Sequence, residues 1–234
     1  MKYIKGLLIL LILLYLTFMI MDLYELPTSM LKYASICICF SISIIGGYDP
    51  IDKKGQQLLQ SGLFLTLFAD LCLLILNYFL IGIAFFLVVQ LIYIKRHSGL
   101  ALKVLRKPLL MVIGILLSFS LVSMYYNFNI IYLLGTIYAI ALITSLITAI
   151  KSSFPYPNKL ILIIGMSLFF LCDINVAIFN LTTSGLLFRI LSLSMWLFYL
   201  PSQTLLSISG SRFKKESIIC YNNTIRKIFI KKGD

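Results

Sequence analysis

Hydrophobic residues in this chain gather into runs of about 20, the length a helix needs to cross the hydrocarbon core of a bilayer. Of the 234 residues 61% are hydrophobic, which leaves no room for a separate soluble domain. In lipid every backbone polar group must be satisfied internally, so only helices and closed barrels can span. The runs are continuous rather than alternating, and this selects helices. The expected fold is all-α and polytopic, with eight transmembrane helices at approximately 4–23, 31–48, 57–77, 79–95, 108–125, 130–150, 159–180 and 186–208. Residues 1–210 form the transmembrane domain in this reading, and 211–234 a basic cytoplasmic tail. The first run follows Lys2 and Lys5 but precedes Asp22-Leu23-Tyr24-Glu25, with no small-residue cleavage site, so it reads as an uncleaved span.

The formal net charge of +12 is distributed in a way that orients helices rather than binds nucleic acid. Alternate connections carry Lys53 and Lys54, then Lys95, Arg96, Lys103, Arg106 and Lys107, then Lys151 and Lys159. The intervening connections carry almost none; only Lys32 and Arg189 fall on that side. Positive loops face the cytoplasm, which places both termini there and the chain in the cell membrane. The tail carries Arg212, Lys214, Lys215, Arg226, Lys227, Lys231 and Lys232, interleaved with Ile225, Ile228, Phe229 and Ile230. That pattern suits contact with an anionic leaflet as well as it suits a solvated tail.

Against this apolar background stand Asp70 and Asp173. Each lies eight residues after a glycine (Gly62, Gly165) and seven before an asparagine (Asn77, Asn180). A carboxyl inside a span is costly, and it marks a functional site by default. Both host helices run from inside to outside, which puts each aspartate about 10 Å below the outer end of its span. Gln90, Tyr138, Tyr199 and Gln203 reach a similar layer or slightly deeper. The matching frames read as a weak parallel repeat, with a shared site between the halves.

The chemistry open to such a site is limited. The chain has one histidine, His97, placed by the sequence in a basic loop. A zinc centre normally needs several converging ligands. Cys37, Cys39, Cys72, Cys172 and Cys220 form no CxxC pair. There is no G-x-S-x-G elbow and no phosphate-binding glycine loop. Two carboxyls in different surroundings can divide acid and base roles. Such a pair suits hydrolysis of an acid-sensitive bond without a cofactor. A transporter or proton-coupled channel would use intramembrane aspartates too, and this is the alternative reading.

The motifs resemble those of the YhhN/TMEM86 family, the lysoplasmalogenases. Gly62 to Asp70, followed by Leu71, Leu73 and Leu74, is similar to that family's first aspartate motif. Gly165, Phe169, Cys172, Asp173 and Ala177 are similar to its second. Gly82, Phe86 and Tyr93 match the fourth-span spacing. Tyr199, Ser202 and Gln203, then Ser207 and Ser209, match the last span, and Lys32 stands where a lysine opens the second. Gln90 occupies the place of an expected histidine, Cys172 that of a serine, Ala69 that of a glycine and Tyr33 that of a proline. The resemblance implies hydrolysis of the vinyl ether bond of lysoplasmalogens, with Asp70 and Asp173 catalytic. The substrate-binding residues implied are Lys32, Gln90, Tyr93, Tyr138, Arg189, Tyr199 and Gln203. Lys32 or Arg189 would hold the phosphate, and the tyrosines and Gln203 would orient water or the glycerol. Loss of the histidine would be consistent with a third outcome, a lipid-binding protein without turnover.

Overall fold

The computed structural model describes residues 2–99, 106–123 and 130–212. Eight α-helices lie among the described residues: α1 (Lys2–Leu23), α2 (Ser29–Gly46), α3 (Lys53–Asp70), α4 (Phe79–Ser98), α5 (Arg106–Ser123), α6 (Ile130–Lys151), α7 (Asn158–Phe179) and α8 (Leu186–Ile208). Six of them, α1–α4, α6 and α7, are long and apolar enough to cross a membrane. The expected eight spans therefore appear as eight helices, with α5 and α8 outside the group of six. In α8 the serines, Gln203, Arg189 and Pro201 interrupt the apolar run. The expected basic tail, with Cys220 and the cations from Lys214 onward, lies outside the described residues, as do Lys103 and the turn from Tyr126 to Asn129.

The packing order closes a ring. Neighbours run α2, α3, α4, α6, α7, α8 and back to α2, while α1 lies against α2 and α8 and α5 lies against α6. All six ring helices contribute buried residues to the interior. In a membrane, close approach of helices is favoured by small residues at the contact. Gly62 of α3 is such a point. A Cβ built there would lie 2.6 Å from Cε1 of Tyr93 on α4, and Tyr93 is wholly buried.

Local sequence explains the ends. Asp52 caps α3 by accepting from the backbone N–H groups of Lys54 (3.2 Å) and Gly55 (2.7 Å), which satisfies donors that a helix start leaves open. Asp22 ties α1 to α2, accepting from the Thr28 hydroxyl at 2.5 Å and from the Lys32 ammonium at 2.8 Å. At the opposite, basic end of the bundle, Asn158 at the start of α7 donates to the carbonyls of Ser209 (3.0 Å) and Ser211 (2.8 Å). A short antiparallel bridge pairs Pro50 with Ser211 beside them. Helix α8 runs through Pro201. Proline leaves the carbonyl four residues earlier without its helical donor, and the Tyr15 hydroxyl of α1 sits 3.5 Å from that carbonyl, of Leu197.

The sequence reading put Arg96 and His97 in a basic loop, and the structure corrects this. Both lie in the last turn of α4 and both are buried. The helix continues to Ser98 and stops at Gly99, whose left-handed backbone (φ 59°) suits glycine. Arg96 donates to the Gly55 carbonyl (3.2 Å) and to the Ser209 hydroxyl (3.0 Å), joining α4 to α3 and to the end of α8.

The close contact at Gly62 yields the first prediction. Gly62→Ala forces the Tyr93 ring out of a filled site, and overpacking of this kind costs about 1–3 kcal/mol. Thermal unfolding of the detergent-solubilised protein should show a lowered midpoint. An unchanged midpoint would mean that α3 and α4 are not in this contact.

Candidate active site

Asp70 closes α3, and there the backbone changes character. Residues Leu71–Ile75 form a π-helical turn, in which the Leu76 N–H reaches back to the Leu71 carbonyl at 3.0 Å. Such turns widen a helix by one residue and occur often at functional sites. Asp70 is only 3% exposed and faces the ring interior. Its Oδ2 accepts from the Tyr199 hydroxyl of α8 at 2.7 Å. Asp173 of α7 is partly buried, and its Oδ2 accepts from the Tyr138 hydroxyl of α6 at 2.5 Å. Asp70 lies in the electrostatic field of Asp173.

One aromatic ring links the two pairs. Phe86 of α4 meets Tyr138 at 6.4 Å, Tyr199 at 6.4 Å and Phe169 of α7 at 5.9 Å between ring centroids. Phe169 meets Tyr199 at 5.8 Å, and Trp196 stands edge-on to Tyr199 at 5.3 Å. Edge contacts of this kind fix ring orientation. They therefore aim the Tyr199 hydroxyl at Asp70, while Tyr138 meets Phe86 at a tilt of 51°. In each pair the tyrosine occupies one carboxyl oxygen, so Oδ1 is the atom left for a substrate.

Two glutamines lie on the same interior faces. Gln90 follows Phe86 by one turn on α4, and Gln203 follows Tyr199 by one turn on α8. Both are 0% exposed, and neither amide has a hydrogen-bond partner among the described residues. Gln90 lies beside the Tyr138 hydroxyl but at less than ordinary hydrogen-bond geometry. Tyr93 is also wholly buried, its ring stacked on His97 at 5.9 Å and its hydroxyl unpartnered.

The structure thus gathers six of the nine sequence candidates, Asp70, Asp173, Gln90, Tyr138, Tyr199 and Gln203, and places Tyr93 one turn farther toward the basic end. Lys32 and Arg189 stand apart. Lys32 is paired with Asp22 and sits 5.2 Å from the Trp196 ring centroid, so one indole separates it from Tyr199. Arg189 is exposed, paired with Glu25, and lines a shallow surface depression at the α7–α8 turn with Phe188 and Ser184. Sequence reasoning missed the acidic partners Asp22 and Glu25, which it read only as an absent cleavage site. It also missed the bridging role of Phe86, which only the packing of α4 against α6 and α8 reveals. Among the described residues no three His, Cys, Asp or Glu side chains converge as a metal site requires.

A ring of apolar helices around two tyrosine-bonded carboxyls defines a multi-pass membrane protein with a buried acidic site. A model of the YhhN family matches residues 3–210. The chain belongs to the YhhN family, the one its motifs resemble. No curated protein and no solved structure matches it.

The two tyrosines differ in a measurable way. Removing a donor from a buried acceptor costs about 1–3 kcal/mol, and less where water can replace it. Tyr199→Phe should therefore destabilise the protein more than Tyr138→Phe, because Asp70 is the more deeply buried carboxyl. Paired thermal melts measure this, and the reverse order would contradict the burial described.

Proposed function

We propose that this protein is a membrane-embedded hydrolase that cleaves the vinyl ether bond of lysoplasmalogens. The observation that carries the reading is the pair of carboxyls, each fixed by a tyrosine from another helix, with the one ring of Phe86 packed against both tyrosines. Membership of the YhhN family supports the same reading. Charge placement supports a cell-membrane location with both termini cytoplasmic.

The reaction needs one proton donor and one base. One aspartate delivers a proton to the alkenyl carbon that is not bonded to oxygen, which generates an oxocarbenium ion. The other removes a proton from water as the water oxygen bonds to the cationic carbon. The resulting hemiacetal breaks its bond to the glycerol oxygen, which takes up a proton. The products are a fatty aldehyde and a glycerophospho-base, and the sum consumes one water. Preorganised groups stabilise developing charge better than mobile solvent does, and Tyr138 and Tyr199 hold their carboxyls in place through the cycle. Phe86, Phe169 and Trp196 line the region where the alkenyl chain would lie. Lys32, already shared with Asp22, and Arg189, paired with Glu25, stand at the end where a substrate phosphate would sit.

Purified protein in detergent or lipid should release aldehyde from lysoplasmenylethanolamine. Asp70→Asn and Asp173→Asn should each lower kcat by at least about a hundredfold, the scale of acid–base catalysis, with folding unchanged. A wild-type protein that cleaves no vinyl ether lipid but moves a solute or protons across vesicles is a transporter. Binding of the lysolipid without turnover would identify a lipid-binding protein instead.

A further inference from the structure

Helices α4 and α8 run in the same direction, and two contacts set their register. Phe86 meets Tyr199, and Arg96 donates to Ser209; both pairs are 113 residues apart in sequence. Gln90 and Gln203 have the same separation, so the two glutamines lie at one level between those contacts. Neither amide makes a hydrogen bond of ordinary geometry with a described residue, although Gln90 lies beside the Tyr138 hydroxyl. On the same faces, Ser202 lies one turn beyond Tyr199 on α8, and Tyr93 lies one turn beyond Gln90 on α4. Their hydroxyls are unpartnered, and both residues are 0% exposed. Tyr93 stacks on His97, whose Nδ1 is 3.4 Å from the Ser145 carbonyl; His97 Nε2 and the Ser145 hydroxyl are also buried without a partner.

Nearly all buried polar groups in folded proteins are hydrogen-bonded, to protein or to ordered water. Isolated exceptions occur, and Gln56, Arg96 and Ser211 each also keep one such atom, as does Asp22 apart from its ion pair with Lys32. But six residues with unpartnered groups lie on the helices α4, α6 and α8 that face one another across the ring interior. The upper end begins at Gln90, beside the Tyr138 hydroxyl that holds Asp173. The lower end is the His97 layer in the last turn of α4. Seven residues of helix separate Gln90 from His97, about 10 Å along the axis. That length takes a few water molecules, each of which needs two to four polar partners.

We infer that Gln90, Gln203, Ser202, Tyr93, Ser145 and His97 line an internal water-binding file that runs from the two aspartates to the basic end of the bundle. Its role rests on the hydrolase reading: the file supplies the water molecule consumed in each turnover, while the lipid chain occupies the apolar side of the same enclosure. Glutamine suits the two positions nearest the aspartates, because its amide offers a donor and an acceptor without a charge. Gln90 and Gln203 are positioning residues in this account; they hold water without exchanging protons with the substrate.

Hydroxyl-radical footprinting by X-ray pulse on the full chain in lipid nanodiscs tests the file directly, since radicals form where water is bound. Tyr93 and Phe18 are both 0% exposed, but only Tyr93 faces the file. Modification of wild-type Tyr93 should exceed that of Phe18 by about tenfold, since ordered water is held where it has several polar partners, whereas the polar neighbour of Phe18 is the Lys32 ammonium, 5.9 Å from its ring centroid and already paired with Asp22. Gln203→Leu should reduce Tyr93 modification and lower kcat with KM unchanged. Tyr93 as unreactive as Phe18 in the wild-type protein overturns the file, whether or not vinyl ether cleavage is observed. Tyr93 labelled in a protein that cleaves no vinyl ether lipid supports the file and removes the hydrolase reading alone.

Discussion

The cost of holding carboxyls inside an apolar ring governs much of this structure. Asp70 cannot find a donor on its own helix, because the α-helical N–H groups around it are already spent on the backbone. Its donor must come from another helix, and it comes from Tyr199 on α8. Asp173 meets the same constraint through Tyr138 on α6. Each carboxyl thereby specifies a neighbour, α3 to α8 and α7 to α6, that apolar packing alone would leave interchangeable. Lipid tails are as apolar as leucine, so hydrophobicity gives little preference among helix faces. Polar pairs and small-residue contacts such as Gly62 against Tyr93 do the selecting.

The two aspartates share a sequence frame, but the fold does not treat them as equals. After Asp70 the chain enters a π-helical turn and then the loop at Asn77, whose φ is 57°. After Asp173 the α-helix continues to Phe179. Asp70 ends deeply buried and Asp173 partly buried. A parallel repeat would have offered two like half-sites; the π turn makes them unlike. Different surroundings are what let two carboxyls take opposite roles in one reaction. The departure from symmetry is thus the feature that acid–base chemistry needs.

How much of this was legible in the sequence differs by the kind of signal. Charges inside apolar runs are conspicuous, so Asp70 and Asp173 stood out, and helix lengths gave the layer in which Tyr138 and Tyr199 meet them. Arg96 and His97 were misread for a definite reason. In sequence, Lys95-Arg96-His97 is a basic cluster at a span boundary. On the helix, Arg96 and His97 turn inward and are buried, while Lys95 is exposed. Composition reports the cluster and cannot report the rotation. The pairing of Lys32 with Asp22 was not legible, because Asp22 belongs to a different helix. The π turn leaves no trace in periodicity over five apolar residues. Helix α8 shows the opposite limit: its serines, Gln203 and Pro201 lower its apolar character, yet those polar residues are what it contributes to the interior.

Gln90 joins these strands. It stands where family resemblance leads one to expect histidine, and an imidazole there could exchange a proton with a neighbour. A neutral amide cannot do so near neutral pH. If the reaction proceeds, proton transfer must be confined to the two aspartates, and the groups beneath them can only bind and orient. Gln203 at the same level on α8 makes that division of labour consistent, because a second neutral amide faces the first. A charged pair at this buried level would carry a large desolvation cost. Two amides incur a smaller one, which bound water offsets. On the proposed function, a neutral amide at Gln90 would leave proton transfer to the two aspartates and water binding to the groups beneath them.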